Sequence, residues 1–187
     1  MLWVLEAALD GGVKAIQLRE KELDGKALFL LAEAARKLTS NYHARLFIND
    51  RIDVALAVEA DGVQLSTVSI PVDTARTLLG PQSLLGASIH SLEEAMEAEK
   101  NGADFVLFGP VFFTPSKASY GSPQGLAALE KIVEKVSLPV YAIGGIKPEN
   151  IAETRRSGVQ GVALISAVMS AADPQYATKR ILKLLKG

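Results

Sequence analysis

Two cations and one acid follow the first two apolar runs of the chain, at positions suited to binding a negatively charged ligand. Arg19 and Lys21 come directly after the first run, and Asn49 and Asp50 come after the second. Cations at the end of a buried strand are costly unless they face water or an anion. The pattern therefore predicts either an anion-binding site or a solvent-exposed strand end at which Glu20 neutralises both cations.

Asp50 is a candidate ligand for Mg²⁺. Hard cations such as Mg²⁺ take one or two carboxylates together with the phosphate oxygens of a substrate. The alternative is that Asp50, with Asn49 beside it, caps the helix that follows, because both residue types are favoured at helix N-termini.

A glycine pair, Gly144-Gly145, and the segment Ile165-Ser166-Ala167 follow two later apolar runs. Glycine lets a backbone approach an anion closely, and backbone N–H groups at a helix start bind phosphate. We therefore predict a phosphate-binding site at these two segments. The alternative is that the glycine pair does no more than end a strand.

The longest loop of the chain carries Thr114, Ser116 and Lys117. Two hydroxyls and an ammonium could close over an anion through charge-assisted hydrogen bonds. Loops of this length are often functional. A solvated surface loop is the alternative interpretation.

The histidine and cysteine content excludes two kinds of site. The chain has no cysteine and two histidines, His43 and His90, which the predicted elements place at opposite ends of the fold. Disulfides, thiolate nucleophiles, a serine-protease-like triad and a zinc site are therefore not expected.

Short apolar runs alternate with amphipathic segments along the whole chain. Nearly continuous apolar runs are typical of parallel strands buried on both faces, whereas the amphipathic segments have helical periodicity. The predicted strands are 15–18, 45–48, 62–65, 84–88, 104–108, 139–143 and 161–165. The predicted helices are 2–9, 24–38, 52–58, 72–79, 91–102 with its caps, 125–136, 148–157 and 174–185.

One helix followed by seven strand–helix units predicts an α/β fold with a parallel sheet. We favour a TIM (β/α)8 barrel over an open doubly wound sheet, because the alternation is uniform and lacks an early Gly-x-Gly-x-x-Gly segment. Active sites of such barrels lie at the C-terminal ends of the strands, and phosphate often binds after the last two. All the candidate residues above then fall in one ring.

Charge and composition limit the class of protein. The 187 residues carry a formal net charge of −1 and no basic tract, so nucleic-acid and membrane partners are not expected. The longest apolar runs are too short to span a bilayer, and the start has no signal-peptide pattern. We expect one cytoplasmic domain covering residues 1–187.

Several segments, in order along nearly the whole chain, resemble the thiamine phosphate synthase/TenI family. The matching segments are 17–21, 47–51, 60–63, 102–104, 109–112, 114–117, 142–146, 149–150, 161–163 and 165–167. The resemblance implies a barrel that joins a pyrimidine diphosphate to a thiazole phosphate with Mg²⁺, giving thiamine phosphate and pyrophosphate. Cations and Mg²⁺ would stabilise the diphosphate leaving group electrostatically.

The resemblance also implies roles for individual residues of this chain. The substrate diphosphate would be held by Arg19, Lys21 and Lys117, the catalytic cations, together with Asn49 and Ser88. Gln17 would contribute to substrate binding, and Asp50 would hold the metal. The thiazole phosphate would be held by Gly145, Ile165 and Ser166, helped by Thr114 and Ser116.

The chain departs from the family pattern at three positions. Gln64 stands where the synthases have a histidine, and Ser69 stands where they have a second metal-binding aspartate. Pro110 stands at the position of the TenI tautomerase histidine. Three hypotheses follow: a synthase with one metal carboxylate, a TenI-like thiazole-phosphate tautomerase, and a non-catalytic binding or regulatory protein for thiazole or thiamine phosphate. The first is favoured because Arg19 and Lys21 persist, as do Asp50 and Lys117.

The family's first strand has no counterpart before Leu2. A typical barrel of this class has about 250 residues. Either the native start lies upstream of Met1, or the barrel is incomplete or atypically closed without this strand, as we hypothesise. An open seam would leave the N–H and C=O groups of two strands unpaired, which favours association. We hypothesise that a partner chain, such as the second copy in a homodimer, covers the seam.

Overall fold

The computed structural model describes residues 1–115 and 122–186. Strands and helices alternate within these ranges, as the sequence predicts. The strands are β1 (Ala15–Leu18), β2 (Arg45–Asn49), β3 (Gly62–Leu65), β4 (Leu84–Ile89), β5 (Phe105–Phe108), β6 (Val140–Ile143) and β7 (Gly161–Ala163). The helices are α1 (Leu2–Asp10), α2 (Gly25–Asn41), α3 (Ile52–Ala57), α4 (Val72–Leu79), α5 (Leu92–Lys100), α6 (Gly125–Lys135), α7 (Ile151–Arg156), α8 (Ser166–Met169) and α9 (Pro174–Lys186).

The strands form one parallel sheet in the order β1-β2-β3-β4-β5-β6-β7, so each strand pairs with its neighbours in the chain. The register pairs Ile16 with Leu46 and Val63 with Leu85, all buried. Because the strands are parallel, their C-terminal ends meet at one edge of the sheet. This is the α/β architecture of a TIM-like barrel, with the candidate residues at its C-terminal edge.

The sheet of the described residues has an open seam between its first and last strands. Within the described residues the sheet contains seven strands, with β1 and β7 at its edges. The helical layer nevertheless meets across the seam, because α1 packs against α9. Gly11, directly after α1, permits this contact, since a Cβ there would lie 2.6 Å from Thr178 Cβ of α9.

Two arginine–aspartate ion pairs lie at the N-terminal ends of the strands, at the edge of the sheet opposite the candidate residues. Asp61, directly before β3, accepts hydrogen bonds from Arg36 of α2 and from the backbone N–H of Leu46. Asp104, directly before β5, likewise accepts from Arg76 of α4 and from the N–H of Leu85. Each pair therefore connects a helix to the beginnings of two adjacent strands.

Helix ends follow the sequence signals with small departures. Ser91 caps α5 by accepting from the N–H of Glu94, as predicted, but the Glu94 carboxylate reaches the N–H of His90 at 2.6 Å rather than that of Ser91. The helix predicted from residue 148 begins at Ile151. The strand predicted for 161–165 ends at Ala163, and the short helix α8 follows where the sequence predicted none. No helix among the described residues is long and apolar enough to cross a membrane.

Candidate functional site

A hydrogen-bonded chain of side chains crosses the C-terminal ends of β1 and β2. Gln17 of β1 donates through Nε2 to Asn49 Oδ1 of β2 at 3.0 Å, and Asn49 Nδ2 donates to Asp50 Oδ2 at 2.7 Å. The parallel register places Gln17 opposite Phe47 and lets it reach the end of the neighbouring strand. Three residues singled out from the sequence are therefore joined in one network.

Asp50 is held by the loop that follows β3. Its Oδ1 accepts from the N–H of Ser66 at 2.9 Å and from the Ser69 hydroxyl, and its Oδ2 accepts from the Ser66 hydroxyl at 3.1 Å. Burial raises the pKa of Asp50, but hydrogen bonds from Ser69, Ser66 and Asn49 outweigh it, and the pKa lies below its ordinary value. Asp50 is thus an anchored, ionised carboxylate.

The suggestion that Asp50 caps the following helix is wrong. The residue before α3 is Arg51, which makes no side-chain cap. Asp50 instead has a φ of +60°, a left-handed conformation that aspartate tolerates better than most residues. This turn directs its carboxylate toward the serines after β3.

The oxygens around Asp50 are of a chemical type that can bind a magnesium ion. One carboxylate and the hydroxyls of Ser66 and Ser69 are hard ligands of the kind Mg²⁺ takes. The Ser66 N–H donates to Asp50 Oδ1, and Asn49 Nδ2 donates to Asp50 Oδ2, so each oxygen uses one lone pair on a fixed donor. The serine hydroxyl protons can rotate away, which leaves the other lone pair of each oxygen available to a metal ion. No cluster of three His, Cys, Asp or Glu occurs among the described residues. Water and substrate oxygens would therefore complete the coordination.

Arg19 and Lys21 lie after the C-terminal end of β1, and both are exposed. In residues 1–115 and 122–186 neither cation forms an ion pair, so Glu20 does not neutralise them. The nearby Arg51, by contrast, is paired with Asp53 at 2.6 Å. Arg19 and Lys21 therefore face solvent with their charge available to an anionic ligand.

Ser88 of β4 is connected to the site through a residue that sequence reasoning did not assign to it. Gln64 of β3 donates through Nε2 to Ser88 Oγ at 3.1 Å and to the carbonyl of Leu65 at 3.2 Å. Gln64 is one of the three departures from the family pattern. The serines around Asp50 were missed as partners, because only Ser69 carried a signal, at the expected metal position.

The glycine pair after β6 forms a tight turn against the loop after β5. Gly145 has a φ of +67°, and a Cβ there would lie 2.6 Å from the carbonyl oxygen of Phe113. Asn150 holds the turn from the other side, since its Nδ2 donates to the carbonyl of Gly145 at 3.0 Å. The glycine is thus required by a close backbone approach, and Asn150 is a further residue whose role the sequence did not reveal.

The remaining candidates lie around the same edge or outside the described residues. Ile165 and Ser166 are exposed at the junction of β7 and α8, beside the β6 turn in strand order. Thr114 is partly buried in the loop after β5, whereas the predicted Ser116 and Lys117 lie outside the described residues. His90 follows β4, and His43 lies between α2 and β2 at the opposite edge, as expected.

Comparison with known proteins identifies one family. The family model described as thiamine monophosphate synthase matches residues 1–168. The thiamine-phosphate synthase of Chlorobium phaeobacteroides is 45% identical over 180 residues, covering 96% of this chain and 87% of the relative. That of Moorella thermoacetica is 45% identical over 184 residues, covering 98% and 88%. The solved thiamine phosphate pyrophosphorylase from Pyrococcus furiosus superposes with a TM-score of 0.93 at 44% identity, covering 99% of this chain and 89% of that one.

Proposed function

This chain belongs to the thiamine monophosphate synthase family, and we propose that it is a transferase of thiamine biosynthesis. The reaction is the Mg²⁺-dependent condensation of hydroxymethylpyrimidine diphosphate with a thiazole phosphate. Its products are thiamine phosphate and pyrophosphate. The thiamine-phosphate synthases that match nearly the whole chain support this assignment.

The observation that carries the proposal is the composition of the C-terminal edge. The Gln17–Asn49–Asp50 network lies beside two exposed cations without ion pairs among the described residues, Arg19 and Lys21. An amide–carboxylate framework next to uncompensated positive charge suits a diphosphate. The opposite side of the edge, at Gly145 and the start of α8, offers backbone N–H groups to the second phosphate.

In the proposed reaction, the bond between the pyrimidine methylene carbon and the diphosphate oxygen breaks. Its electron pair leaves with pyrophosphate, and the thiazole nitrogen forms the new bond to the carbon. Arg19 and Lys21 stabilise the negative charge that grows on the leaving group. Asn49, fixed by Gln17 and Asp50, orients the diphosphate, and Ser88 donates a hydrogen bond to it. We extend the diphosphate site to Lys117 by family resemblance.

The thiazole phosphate is placed at the turn after β6 and the junction of β7 and α8. Gly145, Ile165 and Ser166 bind it through the backbone, and the hydroxyls of Thr114 and Ser116 complete the set. Asp50, with Ser66 and Ser69 beside it, would hold Mg²⁺. When bound, Mg²⁺ neutralises charge on the diphosphate.

The test is direct measurement of thiamine phosphate formed by the purified chain from both substrates and Mg²⁺. We expect steady turnover, and Lys21→Gln is expected to lower kcat/KM at least tenfold through loss of charge stabilisation. Lys100→Gln is the matched control, because Lys100 is exposed at the end of α5, near the other edge. Thiamine phosphate no higher than in enzyme-free reactions would refute the proposed activity.

The two alternatives from sequence gain no support at the site. A tautomerase needs an acid–base group at the position of Pro110, whose ring side chain cannot transfer a proton. A non-catalytic binding protein would bind pyrophosphate and thiazole phosphate but form no product in the same assay.

A further inference from the structure

Gln64 is an almost fully buried polar residue in the middle of the sheet. Its side chain is 2% exposed, and it comes from β3 between the strands that carry Asn49 and Ser88. Buried amides normally satisfy both their N–H and C=O groups. Gln64 does not: its Oε1 is buried without a hydrogen-bond partner in the described part of the chain.

The orientation of the Gln64 amide follows from its neighbours. The carbonyl of Leu65 can only accept a hydrogen bond, so the NH₂ group and not Oε1 must face it. The same NH₂ group then donates to Ser88 Oγ. Ser88 is thereby fixed as an acceptor toward Gln64, and its own O–H proton is free to be donated elsewhere.

The surroundings of Oε1 leave room for the amide but offer it no hydrogen-bond donor in the described residues. A Cβ at Gly86 would lie less than 3.0 Å from Oε1 and from the Phe105 ring, so the missing side chain at this position leaves room for the amide. An unpaired buried carbonyl destabilises the fold. This cost has a functional explanation if ligand binding requires the Ser88 O–H to point toward the ligand and away from Gln64.

We propose that Gln64 is a positioning residue that makes the Ser88 hydroxyl a dedicated donor to a phosphate oxygen of the diphosphate substrate. The inference rests on the proposed function, because it takes the diphosphate to lie at Ser88. Gln64 acts through Ser88 and does not itself touch the reacting atoms. Its effect must therefore disappear when the Ser88 hydroxyl is removed.

A double-mutant cycle tests this dependence. Gln64→Met keeps the length of the side chain but removes both donors, and Ser88→Ala removes the hydroxyl. Pyrophosphate binding is measured by calorimetry for wild type, both single variants and the double variant. We expect Gln64→Met to weaken binding about fivefold in the wild-type background and to have no further effect in Ser88→Ala.

Two further readouts separate positioning from a general structural role. Gln64→His retains an N–H donor and should restore most of the binding that Gln64→Met loses. The KM for the pyrimidine diphosphate should rise in Gln64→Met, while that for the thiazole phosphate stays unchanged. Gln160→Met is the matched control, because Gln160 is exposed directly before β7 at the other edge.

Each outcome has a defined meaning. An equal loss from Gln64→Met in both backgrounds, or unchanged binding in Gln64→Met, would overturn the inference while leaving the proposed function intact. Failure of the wild-type protein to bind pyrophosphate would overturn both. If Gln64→Met does not fold, Gln64→Asn, whose amide is too short to reach Ser88, takes its place in the same cycle.

Discussion

Ser69 is the position at which a single substitution should change the metal chemistry of the site. Its hydroxyl donates to Asp50 and also lies 2.9 Å from Ser66 Oγ. The substitution Ser69→Asp would place a second carboxylate beside Asp50. Mg²⁺ binds to one or two carboxylates in phosphate-handling sites, so the variant should bind the ion more tightly than wild type.

The expected magnitude follows from the proximity of the two groups. Two like charges about 4 Å apart repel by about 4 kcal/mol at an effective dielectric constant of 20. Solvent reaches this partly buried edge, so we expect a loss of about 1–2 kcal/mol in the free energy of unfolding without Mg²⁺. A divalent ion between the carboxylates reverses this repulsion. We expect Mg²⁺ affinity to rise roughly tenfold to a hundredfold, or about 1.4–2.8 kcal/mol.

Chemical unfolding with and without Mg²⁺, together with calorimetric titration of Mg²⁺ in the presence of pyrophosphate, measures both effects. Ser69→Asp should be less stable than wild type without the ion and should recover when it is added. Thr67→Asp adds the same charge in an exposed neighbouring position and should show neither effect. An Mg²⁺ titration midpoint equal to that of wild type would show that Ser69 does not face the metal position.

Two substitutions test the turn after β6 and the opposite edge. Gly145→Ala should raise the KM for the thiazole phosphate, because a Cβ would meet the Phe113 carbonyl oxygen at 2.6 Å. Gly80→Ala, at a similar φ of +70° but with open space around its Cβ, should affect stability alone, by about 1 kcal/mol. Arg76→Met should lower the free energy of unfolding by about 1–3 kcal/mol, since it removes the partly exposed pair with Asp104 and the hydrogen bonds to the carbonyls of Gly80, Ser83 and Gly102. Lys37→Met, which breaks an exposed pair, should cost less than about 0.5 kcal/mol in the same denaturant titration.

The order of the elements could be predicted because each strand is a short apolar run with a distinct boundary. Six of the strands lie within a residue of the predicted ranges in the described chain. The predictions of secondary structure fail at the C-terminal end of β7, where the sequence pattern is short. Helix α8 has four residues, fewer than the periodicity of an amphipathic helix needs in order to be recognised. The last strand ends two residues earlier than predicted, at Ala163, because this residue pairs with Ile143, the last residue of β6.

The ring of candidate residues could be predicted because parallel strands bring their C-terminal ends together. Its internal contacts could not, because they depend on register and on rotamers. Gln64 and Ser88 are 24 residues apart and meet through the β3–β4 register. Ser66 and Asp50 are 16 residues apart and meet because Asp50 adopts a left-handed turn. The sequence therefore predicts where on the sheet a residue lies, but it does not predict the hydrogen-bond partner of its side chain.

The N-terminal edge shows how neighbouring strands of the described sheet are joined at their beginnings. Asp61 and Asp104 each connect the start of one strand to the start of the preceding strand, through the N–H groups of Leu46 and Leu85. Gln160 occupies the corresponding place before β7, and its backbone N–H bonds to Val140 without an ion pair in the described residues. Among the strands around Asp50, β2 and β3 are therefore joined at their beginnings by the Asp61 side chain, whereas β7 is joined to β6 by backbone hydrogen bonds in the described residues. Because β1 and β7 are both edge strands of the described sheet, the diphosphate side after β1 and the thiazole-phosphate side after β7 should both respond to a change at the seam.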